Sequence, residues 1–162
     1  MKRSLWALFF TFLVLNLRTL NAQENDPELA GRIGLGFSNL GPNYNEALSV
    51  DWQATQATSF EFNLAVDTKP NNNYLQPGII AHRNLFIEKQ QVYFLFIGGS
   101  LISHQVNGVN QNGYGIDGGV GGRFFLEGLP NLGMSFRVGL QLASTTEVRF
   151  RTGVNFGIHY YF

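Results

Sequence analysis

The chain has 162 residues with 11 basic and 11 acidic side chains, no cysteine, 19 glycines and 14% aromatic residues, while only 14% of its residues are charged. The lack of cysteine excludes disulfide staples, a thiolate metal site and a lipid-modified cysteine. Setting aside Lys2, Arg3 and Arg18, which fall in an expected leader, leaves 8 basic against 11 acidic residues, a charge near −3 that argues against a nucleic-acid partner.

Residues 1–22 have the layout of a secretory signal. Lys2 and Arg3 form a basic start, an apolar run covers residues 5–15, and Leu20-Asn21-Ala22 offers a cleavage site before Gln23. The run is too short for a helix that crosses a bilayer, and Arg18 interrupts its continuation. Removal of this leader leaves a short segment, 23–30, and a body, 31–162. A remainder of about 140 residues without staples must be held by one core or one closed sheet.

The body divides into alternating segments separated by turn residues. Ile33, Leu35 and Phe37 alternate with Arg32, Gly34 and Gly36 in 31–38, and a turn is expected over 39–43. Leu48, Val50 and Trp52 alternate with Ser49, Asp51 and Gln53; after a link at 55–58, Phe60, Phe62, Leu64 and Val66 alternate with Glu61, Asn63, Ala65 and Asp67. A loop over 69–73 leads to a fourth segment, 75–83, whose phase is ambiguous because Ile79 and Ile80 are adjacent, and 84–90 reads as a turn. The fifth, 92–103, is apolar on both faces. One reading turns Leu95 and Ile97 inward beside Ile80, giving a greasy lumen wall for an acyl chain; the other makes Phe94 and Phe96 lipid-facing and the wall merely packed.

An Asn/Gly-rich stretch, 105–113, reads as the longest loop. Tyr114, Ile116, Val120 and Phe124 then alternate with Gly115, Asp117, Gly119, Gly121 and Arg123 in the sixth segment. Its glycines belong to a strand, not to a phosphate-cradling loop, and make room for bulky neighbours. After a turn at 127–131, Met134, Phe136, Val138 and Leu140 alternate with Ser135, Arg137, Gly139 and Gln141 in the seventh. The eighth, 148–162, alternates strictly: Val148, Phe150, Val154, Phe156, Ile158, Tyr160 and Phe162 against Arg149, Arg151, Asn155 and His159.

Eight such segments joined by short connections predict an all-β, up-and-down antiparallel barrel, in which closure removes both edges. Alternation suits a soluble lipocalin-like binding barrel as well as a transmembrane one; the polar face separates them. It carries Arg32, Asp51, Glu61, Asp117, Arg123, Arg137, Arg149 and Arg151, a set suited to a narrow interior of ion pairs, and the body has only Lys69 and Lys89 as lysines, both in predicted turns. The expectation is therefore apolar-out, with Glu61 and Asp51 meeting Arg32 or Arg137 across the lumen. If the body starts on the periplasmic side, Trp52, Phe60, Phe124, Tyr160 and Phe162, with Tyr93 or Phe94, form one aromatic belt. Phe37, Tyr74, Tyr114 and Phe150 form the other.

In strand pattern, length and ending, the body resembles the small eight-stranded bacterial outer-membrane proteins of the OmpA/OmpX type. The resemblance implies a transmembrane barrel in the outer membrane of a Gram-negative-type bacterium, in contact with outer-membrane lipid and lipopolysaccharide. It also implies that Ile158, Tyr160 and Phe162 present a signal to the barrel-assembly machinery, and that the peptidoglycan-binding domain of OmpA itself is absent.

Function is expected to be structural or interaction-based, in a monomer without cofactor or metal. Eight strands enclose room for side chains only, which weakens a pore. A lipid A acyltransferase or deacylase would need a serine and histidine near lipid; Ser103 and His104 are neighbours and so face opposite ways, and His159 has no serine nearby in its own strand. His82 completes a dispersed set. Surface recognition through the outer loops, above all 104–115, is the remaining alternative.

Overall fold

A computed structural model describes residues 29–40, 45–145 and 147–162. The expected leader, residues 23–28 and the centre of the first expected turn lie outside the described residues. Eight antiparallel strands follow one another in chain order and close into a barrel: β1 (Ile33–Leu40), β2 (Asn45–Thr55), β3 (Thr58–Lys69), β4 (Asn72–Glu88), β5 (Gln91–Val106), β6 (Val109–Leu126), β7 (Leu129–Ser144) and β8 (Val148–Tyr161). Each strand pairs with its chain neighbours, and β8 returns to β1.

The register sets the shape. Stepping across the ladders from Leu35 through Val50, Phe62, Ile79, Gly99, Ile116 and Leu142 arrives at Phe150, yet the partner of Leu35 on β8 is Tyr160, ten residues further along (150 to 160). For eight strands that offset tilts the strands by roughly 40° to the barrel axis and leaves an interior that side chains can fill. The even strand count brings Leu29 and Phe162 to the same end of the ring.

The connections are tighter than the composition suggests. The stretch 105–113 is not a loop: β5 runs to Val106, β6 starts at Val109, and Asn107 and Gly108, both with positive φ (50° and 80°), make a two-residue hairpin turn. The expected loop at 69–73 likewise shrinks to Pro70-Asn71, where Pro fixes the first turn position and Asn71 takes φ 64°. The expected turn at 84–90 is mostly strand, because an irregularity between Asn84 and Phe86 lets β4 continue to Glu88. Asn and Gln suit exposed hairpin ends as well as loops, so polarity misplaced these boundaries.

The fourth and fifth strands settle into one phase. Even-numbered residues of β4 from Tyr74 to Asn84 face inward, and in β5 Phe94 and Phe96 are buried while Ile97 is exposed. Both readings of β5, which shared an outward Phe94 and Phe96, are thereby corrected. The cause is the neighbour: Phe94 pairs with Gly121 and Phe96 with Gly119, and a Cβ on Gly121 would lie 2.6 Å from the Phe94 ring. Large side chains on one strand occupy space left by glycines on the next.

Glycine also permits the closing seam. A Cβ on Gly36 of β1 would overlap the Ile158 carbonyl oxygen of β8, a backbone atom that cannot swing away. Gly36→Val is expected to destabilise the barrel by about 1–3 kcal/mol through overpacking, read as a lower urea midpoint with early proteolysis at β1. An unchanged midpoint would mean that the seam is looser than the register implies.

Candidate functional site

Alternation sends two chemically opposite surfaces to the two sides of the ring. Outside are Leu35, Phe37, Leu48, Val50, Phe62, Leu64, Ile79, Ile116, Val138, Leu140, Val154 and Phe156, all exposed. Inside, Asp51, Glu61, Arg123 and Arg137 are each no more than 1% exposed. The lumen is therefore the place where chemistry could reside, and it is built in tiers.

At the end bearing Leu29 and Phe162, Leu29 is fully buried and packs with Val92, Phe125 and Tyr161, while its N–H donates to Gln56 Oε1. Arg32 spans this mouth. Its guanidinium sits 5.3 Å from the Tyr161 ring centre and 5.7 Å from that of Phe125, and it donates to Asn131 Oδ1 at 2.7 Å. It therefore does not meet Asp51 or Glu61 as expected; β1 places Arg32 before the first ladder pair, outside the carboxylate tier.

Asp51 is the hub of the next tier. Arg123 donates to Oδ2, Tyr161 OH donates to the same oxygen at 2.7 Å, and Gln53 Nε2 donates to Oδ1 at 3.0 Å. The Arg123 guanidinium also lies 5.7 Å from the Phe94 ring centre. Deeper in, Arg137 Nη1 donates to Glu61 Oε2 at 2.9 Å, and His82 Nε2 approaches that oxygen at 3.7 Å. Of the cross-lumen pairs expected, Arg137 with Glu61 is the one that the fold brings together; the partner of Asp51 is Arg123.

The remaining charges of the expected network separate. Asp117 folds over Gly98, where a Cβ would lie 2.5 Å from its Oδ1. Arg151 is half-buried near the opposite end of β8. Arg149 is not in the lumen: its side chain is 77% exposed and lies 3.7 Å from Glu147, because β8 has just emerged from its hairpin there. Between these levels an apolar patch of Ile80, Phe94, Phe96 and Ile102 fills one side.

The histidines are less dispersed than their sequence positions imply. His159 Nε2 on β8 contacts Ser49 Oγ on β2 over Gly36 of the intervening β1, and His82 Nδ1 lies 3.2 Å from Ser59 Oγ. Ser59, His82 and Glu61 thus stand in the order of nucleophile, base and acid. All three are buried to 2% exposure or less, and Glu61 is held by Arg137. The two serine–histidine contacts give each hydroxyl and one ring nitrogen of each histidine a partner, while His82 Nε2 and Glu61 Oε1 have no hydrogen-bond partner among the described residues. Partners separated by 110 residues, as Ser49 and His159 are, leave no local signal in a sequence. His104 sits at the opposite end, 2.7 Å from Asn72 Oδ1, with Ser103 on the outer face.

Among the ring-bearing residues, Trp52, Tyr114, Phe150, Tyr160 and Phe162 are exposed on the outer surface, as is Phe37, while Phe60 and Phe124 are partly covered. Trp52 and Phe60 lie 6.0 Å apart near the end that bears Phe162, and Phe124 stacks on Phe136 at 5.6 Å. Tyr74 corrects the belt assignment. It faces inward, 7% exposed, and donates to Gln76 Oε1, because the two-residue turn before β4 sets even residues inside. Ile158, Tyr160 and Phe162 share the outer face at the end of β8. A scan against protein-family models finds no matching family, and a search of curated proteins finds no match to this chain.

Proposed function

We propose that this chain is a small integral outer-membrane β-barrel with a side-chain-plugged lumen and a structural or surface-interaction role. One observation carries the reading: the exposed outer surface is apolar around the ring while Asp51, Glu61, Arg123 and Arg137 are buried inside it. A soluble barrel in water would need the reverse, and an outer face of this kind is stable where lipid surrounds it. The expected export signal at 1–22 agrees with a destination in the outer membrane of a Gram-negative-type bacterium. Lipid and lipopolysaccharide are then the surrounding partners, and Ile158, Tyr160 and Phe162 the residues offered to the assembly machinery.

The filled lumen argues for a plug over a pore, since Arg123, Phe94, Phe96 and Arg137 occupy its cross-section at successive levels. The buried serine and histidine contacts argue against lipid-modifying catalysis. Interaction with a ligand outside the cell would fall to the projecting β4, β5 and β6 ends, where Asn72, Asn73, His104, Gln105 and Gln111 form an amide-rich tip.

The test is heat-modifiable migration of the 23–162 body refolded in detergent, with far-ultraviolet circular dichroism on the same sample. A shifted unboiled band with strand-rich dichroism is expected. A protein that stays folded and soluble without detergent would overturn the membrane reading in favour of a soluble binding barrel.

A further inference from the structure

Asparagine precedes glycine twice in the chain, at Asn107-Gly108 and at Asn112-Gly113, and the fold treats the two dipeptides differently. The first is the whole β5–β6 turn, closed by the Val106–Val109 pair, with φ 50° at Asn107 and 80° at Gly108. The second lies further along β6, where Asn112 stands opposite Ser103 and Gly113 opposite Ile102. Both asparagines are exposed. The side-chain chemistry is the same; the backbone is not.

Asparagine followed by glycine is open to attack by the next backbone nitrogen on its own side-chain carbonyl carbon, since glycine puts no Cβ in the way of the five-membered ring. The ladder decides where that nitrogen is free to move. In a two-residue hairpin the closing pair exchanges hydrogen bonds and every second pair does so after it, which makes Val106–Val109, His104–Gln111 and Ile102–Gly113 bonded pairs. The Gly113 N–H is therefore held by Ile102. β7 crowds the same residue, because a Cβ on Gly113 would overlap the Ser144 carbonyl oxygen.

Gly108 differs on both counts. Its N–H lies outside the ladder, and a Cβ on it would meet nothing within 4 Å. The turn also stands clear of the ring: β6 meets β7 only from Tyr114–Ser144 onward, so Val109 to Asn112 pair with β5 alone, and a hairpin end of that kind opens locally at low cost. Asn107 is tied through its N–H, which donates to the Asn71 carbonyl at 2.8 Å. Asn71 has a positive φ as well, but Asn72 follows it and brings a side chain against the ring.

We infer that Asn107 is a site of spontaneous deamidation, selected over Asn112 by the fold. The Gly108 nitrogen forms a bond to Asn107 Cγ, the Cγ–Nδ2 bond breaks, and ammonia leaves with the proton of the backbone amide. Water then adds to one of the two imide carbonyls. The product is aspartate at position 107 or a β-aspartyl link that carries the chain through the former side chain. Either places a carboxylate beside Asn71 on the amide-rich tip. The β-aspartyl form also lengthens the backbone at a turn that has room for two residues, and so loosens the tie between the two hairpins. No lipid is involved, so the site stands or falls separately from the membrane reading.

The experiment ages the refolded 23–162 body in mildly alkaline buffer, which favours the deprotonated nitrogen, beside a second sample in urea. Peptide mapping by mass spectrometry then follows replacement of the amide NH2 by OH at each position. In the folded barrel Asn107 is expected to convert about tenfold faster than Asn112, the factor that one net ladder hydrogen bond corresponds to. In urea the two rates are expected to converge. Asn107→Gln should remove the main acidic product and leave the slow conversion of Asn112 unchanged, with strand-rich dichroism showing that each compared sample is folded. Equal rates in the folded barrel, conversion led by Asn112, or an intact Asn107 in the folded sample while the urea sample converts would overturn the inference.

Discussion

Glu61→Ala is expected to destabilise the barrel by about 3–5 kcal/mol, because it leaves the buried Arg137 guanidinium without its carboxylate. The same change removes the neighbour of His82 and leaves the Ser38–Asn63 hydrogen bond (2.6 Å) beside an empty volume. Urea titration in lipid vesicles, followed by tryptophan emission, reads the loss. Planar-bilayer conductance of the variant is expected to stay low, since the Asp51, Arg123 and Tyr161 tier still crosses the lumen. A large open conductance would contradict the plug. The double replacement Glu61→Leu with Arg137→Met separates charge pairing from packing. It should recover most of the lost stability, as buried ion pairs replaced by apolar groups of similar volume commonly do, and failure to recover would assign the loss to the surrounding hydrogen bonds.

The second large effect concerns the outer face. Val138 lies in the middle of an outward apolar row on β7 that includes Met134, Phe136, Leu140 and Leu142, and it pairs with Val120 and Val154 on either side. Val138→Arg is expected to cost about 2–4 kcal/mol of folding stability in a bilayer, the range for a cation on the lipid face near the midplane. On a water-exposed barrel the same exposed substitution would stay within about 0.5 kcal/mol of wild type. Reversible folding into vesicles therefore discriminates between the two environments at a position that touches nothing in the lumen. A neutral outcome would remove the principal support for the membrane reading, even with Glu61 behaving as expected.

Much of this architecture could be read from residues in order. β2, β3, β6, β7 and β8 each contrast apolar with polar or glycine positions at a period of two, and in such a pattern a one-residue slip would reverse every side chain. That contrast is why Asp51, Glu61, Arg123 and Arg137 could be assigned to one face before their partners were known. It also carries the eight-strand count, because turn residues punctuate each run. Boundaries were harder at the end away from Phe162, where Asn and Gln occupy both strand and turn, so that Asn107-Gly108 alone turned a long expected loop into a hairpin.

The sequence by itself determined the strand number, the two-sidedness of the sheet and the sorting of most charges to one face, since these follow from local alternation. Only the tertiary structure decided the phase of β5, the partner of each buried charge, and the serine contacts of His82 and His159. In β5 both faces are apolar, so hydrophobicity offers no contrast and the choice falls to volume: Phe94 and Phe96 turn inward where Gly121 and Gly119 leave space. Partner choice depends on the ten-residue offset at closure, which aligns Asp51 with Arg123 and carries Arg32 out to the mouth. Such offsets are sums over every ladder in the ring, and no single stretch of chain contains them.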